Sequence, residues 1–148
     1  MSTIFADKFK NTSGGNNVKV NQLSGIDTAG SIAVQGEGTN TTNLQQGLTK
    51  YWTNLDGTGT ITTRDSFNHT SETDHDTGKY TLTLTNAMSN ANYAITMSTG
   101  GSSSGSGRIF DDDTARTTSA FKVVGQSLSN AAVMDIDNWN FAIHGDLA

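Results

Sequence analysis

The sequence predicts a mainly β protein, with an extended N-terminal arm and short helix over residues 1–49 and an antiparallel, jelly-roll-like β-sandwich over residues 50–148. Two observations carry this. Apolar and polar residues alternate in several short runs, the period of strands with one buried face. Clusters of Gly, Asn, Asp and Ser separate those runs at the short spacing of sandwiches and jelly rolls.

In the arm, only Val18-Lys19-Val20 and Ile32-Ala33-Val34 read as strand-like pieces, between the turn signals Ser13-Gly14-Gly15-Asn16-Asn17 and Ser24-Gly25-Ile26-Asp27-Thr28-Ala29-Gly30. So few apolar residues form no private core. Fully extended at about 3.3 Å per residue, residues 1–39 would reach on the order of 100 Å, enough to cross a neighbouring subunit. A helix is expected from Thr42 to Tyr51, where Leu44, Leu48 and Tyr51 fall at i, i+4 and i+7 and Thr42 or Asn43 serves as N-cap. Gly47 weakens it by about 1 kcal/mol relative to Ala. The helix either packs near a threefold axis against its copies or caps one end of the β domain.

From Tyr51 the period changes to 2. Lys79-Tyr80-Thr81-Leu82-Thr83-Leu84-Thr85 places Tyr80, Leu82 and Leu84 on one face. Tyr93, Ile95 and Met97 repeat the pattern, as do Trp139, Phe141 and Ile143, and these nine residues are the expected core. Gly107-Arg108-Ile109-Phe110, Phe121-Lys122-Val123-Val124 and the stretch from Ile61 to Phe67 supply further strands. The low-complexity stretch 98–107 reads as an exposed loop between two strands.

Composition narrows the function classes. With 33% hydrophobic residues and a mean hydropathy of -0.44, the chain has little apolar area to bury. Ordering a residue costs roughly 1–2 kcal/mol of backbone entropy against about 25 cal/mol per Å² of apolar burial, so oligomerisation is the expected remedy. A net charge of -5 with scattered basic residues argues against nucleic-acid and anionic-membrane partners. No apolar run approaches the length of a membrane span and the first residues lack the pattern of a signal peptide, so synthesis in a cytoplasm is expected. Without cysteine there is no disulfide framework or thiolate chemistry, and turns rest on Gly, Asn, Asp and Ser because proline is also absent.

Few residue groups suggest chemistry. His69, Glu72, Asp74, His75 and Asp76 have the residue types of a metal site or acid/base pair, but match no ligand spacing and fall where a hairpin loop is expected. Asp111-Asp112-Asp113 offers oxygens to Ca²⁺ without the spacing or central Gly of an EF-hand loop. No G-x-S-x-G elbow presents a nucleophile, and His144 falls on the strand face opposite Trp139, Phe141 and Ile143. The sequons at Asn11, Asn40 and Asn68 are chance matches in a Thr-rich chain without a secretory route. Trp52 and Trp139 raise sugar stacking, but both flank strand-like alternation, which favours core positions. The glutamates Glu37 and Glu72 do not supply the paired carboxylates of a glycosidase. No catalytic, cofactor-binding or metal residue is therefore assigned, and a non-enzymatic protein without cofactor is expected.

Several segments, in order, carry a resemblance: Val18-Lys19-Val20-Asn21, Leu44 through Trp52, Asn54-Leu55-Asp56-Gly57-Thr58-Gly59-Thr60-Ile61, Arg64-Asp65-Ser66-Phe67-Asn68, Thr77 through Leu82, Ala87 through Ala94, and Phe141-Ala142-Ile143-His144-Gly145. Together they resemble a family of short virion surface proteins of marine and cyanobacterial tailed phages. The resemblance spans most of residues 18–145. It implies a homotrimeric structural protein of the virion, either a capsid decoration (cement) protein or a short tail-fibre component, assembled in the host cytoplasm. Its implied partners are its own copies and a major capsid or tail protein. The alternative within the family is a receptor-binding fibre tip that recognises host surface glycan. A cellular carbohydrate-binding module is a third reading. The long anchoring domain and coiled shaft of a full fibre have no counterpart in these residues, which points to a fibre tip, an adaptor-bound fibre component or a decoration protein. Loops of Ser, Gly, Thr and Asp favour decoration.

Overall fold

A computed structural model of the chain describes residue 22 and residues 32–35, 39–100, 107–112 and 115–148. A small hairpin comes first, β1 (Ala33–Gln35) against β2 (Thr41–Asn43), followed by α1 (Leu44–Gly47). Eight strands follow: β3 (Tyr51–Asp56), β4 (Thr62–Phe67), β5 (His69–Asp76), β6 (Lys79–Leu84), β7 (Ala94–Gly100), β8 (Gly107–Asp112), β9 (Ala120–Ser127) and β10 (Asn138–His144). They form two four-stranded sheets, ordered β4-β3-β10-β7 and β5-β6-β9-β8, and every pairing is antiparallel. The fold is mainly β, as the alternation predicts. Hairpins β3–β4, β5–β6 and β8–β9 each stay within one sheet. This wiring differs from a jelly roll, whose successive strands pass from sheet to sheet.

The alternation decides which faces meet. Tyr51 and Leu55 of β3 and Trp139, Phe141 and Ile143 of β10 point to one side, while Tyr80, Leu82 and Leu84 of β6 and Phe121 and Val123 of β9 point back at them. Aromatic edges lock the sheets together. Tyr51 meets Phe121 at 5.5 Å between ring centroids, Tyr80 meets Trp139 at 5.2 Å and Phe121 meets Phe141 at 5.7 Å, all near T-shaped. Each such pair contributes roughly 0.5–1.5 kcal/mol beyond the area it buries.

Of the nine expected core residues, seven are buried, and Ile95 and Met97 pack partly buried against them. Trp139 fits because two glycines make room. A Cβ at Gly57 would lie 2.5 Å from its Nε1, and one at Gly125 would lie 2.7 Å from its Cη2. The indole N–H donates to Ile136 O at 2.6 Å, which pairs this buried donor.

The helix is shorter than the periodicity suggests. Asn43 caps it, its side chain accepting from Gln46 N at 3.2 Å, but it ends at Gly47, and Tyr51 is instead fully buried in β3. Strand pairing of Tyr51 with Ile143 overrides the weak local helical period. Lys50 closes this junction: its ammonium donates to Leu48 O at 2.9 Å and to Gln45 O. Gln46 Nε2 donates to Asp146 Oδ1 at 2.5 Å, tying α1 to the chain just beyond β10. Val18-Lys19-Val20 and most of the expected arm lie outside the described residues.

Candidate functional site

The acidic and histidine-rich segment is not a loop. Residues 69–76 form β5, and the hairpin turn falls at Thr77 and Gly78, where Gly78 takes a φ of 63° that few residues other than glycine adopt. Strand geometry spreads the five side chains. His69, only 4% exposed in its side chain, has Nδ1 3.0 Å from Tyr51 Oη and Nε2 3.5 Å from Glu72 Oε2, too long for a well-formed hydrogen bond. Glu72 accepts from Thr63 Oγ1. His75 Nε2 lies 2.8 Å from Thr81 Oγ1, and Asp76 is 3.5 Å from Lys79 Nζ. Among the described residues, no group of three or more His, Cys, Asp or Glu side chains is placed to hold a metal ion. The Tyr51 phenol is held well above its ordinary pKa, first by burial and then by the Glu72 charge.

The aspartate run is split by alternation. Asp111 pairs with Arg116, whose Nη1 also donates to Tyr93 O at 2.8 Å and whose guanidinium lies 5.2 Å from the Tyr93 ring centre. Asp112 turns to the other face and lies 3.9 Å from Lys122 Nζ. Asp113 lies outside the described residues. Burial pushes the Tyr93 phenol up to about 12 against the pull of Arg116.

A different arrangement appears on the outer face of β4-β3-β10-β7. Trp139 is buried as expected, but Trp52 is 38% exposed: it is out of phase with Tyr51 and Leu55 and so stands on the solvent side. Register aligns two rungs across the sheet. The first runs Phe67, Trp52, Ala142, Thr96; the second runs Asp65, Asn54, Asn140, Ser98. Asn54 Nδ2 donates to Asn138 Oδ1 at 2.6 Å and to Asn140 Oδ1 at 2.5 Å, while Asn140 Nδ2 donates to Asn138 Oδ1 at 3.1 Å. A depression of about 130 Å³ lies beside them, lined by Thr96, Met97, Ser98, Asn140, Phe141 and Ala142. His144 also takes the outer side, its Nε2 3.5 Å from Thr49 Oγ1.

No family model, curated protein or solved structure matches the chain. The geometry therefore carries the argument.

The amide row was readable in principle. In Asn138-Trp139-Asn140-Phe141-Ala142-Ile143-His144 every second residue is core, so the asparagines must share the opposite face. The phase of Trp52 was not, because the helix expected through Tyr51 hid the alternation of β3. Asn68, one of the sequons, takes a φ of 60°, and its side chain bonds Lys50 O, Asn86 O and Asn86 N at the β4–β5 corner.

Proposed function

We propose that the chain is a non-enzymatic structural protein of a phage virion surface, working as a homotrimer, as a capsid decoration protein or a short fibre component. The carrying observation is that large apolar side chains stay exposed on a chain that has few to spare: Val34, Leu128 and Val133 at separate places, and three more near one end. Leu48 is 53% exposed, Phe67 52% and Leu147 42%; they flank the start of β3, the end of β4 and the segment after β10, all at one end of the sandwich. Exposed apolar groups at one end favour a contact surface there. The described chain leads from β2 through α1 into β3 at the same end. The phage setting and the threefold order come from the resemblance to short virion proteins, and the partners would be further copies and a capsid or tail protein.

The test is the mass of the purified chain by light scattering, alone and with Leu48→Ser and Phe67→Ser combined. Three chains per particle, falling to one in the variant, is the expected result; a stable monomer in the unaltered protein sinks the reading. Mixing the protein with empty phage capsids and pelleting then separates the two locations. Co-pelleting marks a decoration protein, and a trimer left in the supernatant marks a fibre component.

A further inference from the structure

We infer that the outer face of β4-β3-β10-β7 carries a binding site for a neutral sugar ring, built from Trp52, Asn54, Asn140, Thr96 and Ser98 around the depression over Ala142. This goes beyond the assembly reading and requires only that this face stay open to solvent in whatever assembly the chain forms.

The site follows from register. In the rung Trp52, Ala142, Thr96, the small alanine lowers the floor between an indole and a hydroxyl. Directly opposed residues on adjacent strands have Cβ atoms about 4.5–5.5 Å apart, so the ring and the floor are immediate neighbours. One rung along, Asn54, Asn140 and Ser98 supply amides and a second hydroxyl at the same height above the sheet. A pyranose offers an apolar C–H face and a rim of hydroxyls that both donate and accept. Indole faces take the first, weakly held C–H contacts included. Amides and hydroxyls take the second because, unlike Lys or Asp, they also donate and accept.

The amides are already oriented. Both acceptor bonds at Asn138 Oδ1 and the pair of donations from Asn54 Nδ2 fix the three side chains against one another. Neither Asn54 Oδ1 nor Asn138 Nδ2 is used in these three bonds, and Asn138 Nδ2 lies beside Gly100. A group held in place before binding loses little entropy on binding.

Charge selects the ligand class. None of the six residues lining the depression is ionisable, and the nearest charge along the second rung is Asp65, beside Asn54. The site therefore suits an uncharged ligand and disfavours phosphate, sulfate or a uronic acid. Size sets the extent: about 130 Å³ is well below the roughly 300–1,000 Å³ of pockets that enclose whole drug-sized ligands, which fits one ring of a glycan and weak affinity per site.

Trp52 provides the readout. The chain has two tryptophans and Trp139 is 0% exposed, so acrylamide quenching of tryptophan fluorescence reports on Trp52. The probes are the methyl glycosides of glucose, galactose, mannose and N-acetylglucosamine, added singly to the full-length protein. At least one is expected to protect Trp52 saturably. Ala142→Leu, which fills the depression without removing a hydrogen bond, and Asn140→Ala should each weaken that binding about tenfold, equivalent to about 1.4 kcal/mol. Thr81→Leu, on the outer face of the other sheet, should leave it unchanged. Near-ultraviolet circular dichroism checks that each variant keeps the native core. The proposal is overturned if no glycoside protects a quenchable Trp52, or if Ala142→Leu, folded, binds as tightly as the unaltered protein. It is equally overturned if Trp52 is already shielded from acrylamide, because a second copy then covers the face. An unaltered protein that is a stable monomer yet binds a glycoside would count against the assembly reading alone.

Discussion

Tyr51 and Phe121 meet edge to face across the two sheets, 5.5 Å between ring centroids, and both are fully buried. Tyr51 belongs to the sheet that carries the amide row and Phe121 to the other, so this contact sets how the two layers sit. It also links the core to the polar corner, since the Tyr51 hydroxyl lies 3.0 Å from His69 Nδ1.

Phe121→Ala is therefore expected to cost about 3–5 kcal/mol, the range for emptying an aromatic site in a close-packed core. Tyr51→Phe keeps the ring contact but removes the partner of His69 Nδ1, and should cost about 1–3 kcal/mol for that buried nitrogen. Urea unfolding of both variants checks the order. If Tyr51→Phe proved the more damaging, the hydroxyl link and not the aromatic contact would dominate this part of the core.

Gly125 of β9 is a second place where a single atom matters. An added Cβ would meet Trp139 Cη2 at 2.7 Å and Met134 O at 2.8 Å, one an indole held in place by its bond to Ile136 and the other backbone. Neither yields easily. Gly125→Ala should destabilise by about 1–3 kcal/mol through overpacking and alter the near-ultraviolet dichroism of Trp139. An unchanged spectrum with unchanged stability would mean that the indole pocket is looser than these distances imply.

Much of the fold could be read from the chain, and the failures share a cause. Period-2 runs such as Lys79 to Leu84 and Asn138 to His144 signal both strand and buried face, because one face of each carries nearly all the apolar residues. Where apolar residues are scarce the pattern vanishes: β5 is built from His69-Thr70-Ser71-Glu72-Thr73-Asp74-His75-Asp76, an edge strand whose charges suit an unpaired edge and whose sequence reads as a loop. Tyr51 misled in the opposite way, completing a helical period with Leu44 and Leu48 although its partners lie in β10. Local pattern carries no knowledge of a strand that arrives almost at the end of the chain. For the candidate site, the alternating asparagines of β10 were visible, but their alignment with Trp52 and Thr96 depends on pairings between β3, β10 and β7.

Lys50 acts as a clasp between α1 and the sandwich. It is 6% exposed, burial pulls its pKa down while Asp146 opposes this, and its ammonium binds two carbonyls at the end of α1. Lys50→Met keeps the apolar stem but withdraws the donor. Segment 44–49 should then be cut faster in limited proteolysis, at a stability cost of about 1–3 kcal/mol, with the β-sheet circular dichroism retained. Cleavage at the original rate would show that Gln46 and Asp146 suffice to hold α1.

The three tyrosines of the chain make an alkaline prediction with a definite sign. Tyr51, Tyr80 and Tyr93 are 0%, 1% and 3% exposed, and burial raises each phenol's pKa, that of Tyr93 to about 12 and those of Tyr51 and Tyr80 further. Tyr80 is held up additionally by Asp135, whose Oδ1 lies 2.7 Å from its hydroxyl. In the unfolded chain these phenols ionise near pH 10. The folded state thus keeps protons that the unfolded state loses, so the stabilisation is complete below about pH 10 and declines as pH rises toward the folded values. The slope approaches about 1.4 kcal/mol per pH unit for each tyrosine, or about 4 kcal/mol for the three together. Tyrosinate absorbance should stay low just above pH 10 and then rise in one step, together with the loss of β-sheet circular dichroism. A gradual rise centred near pH 10 with the sheets intact would mean that at least one phenol reaches solvent in the folded protein.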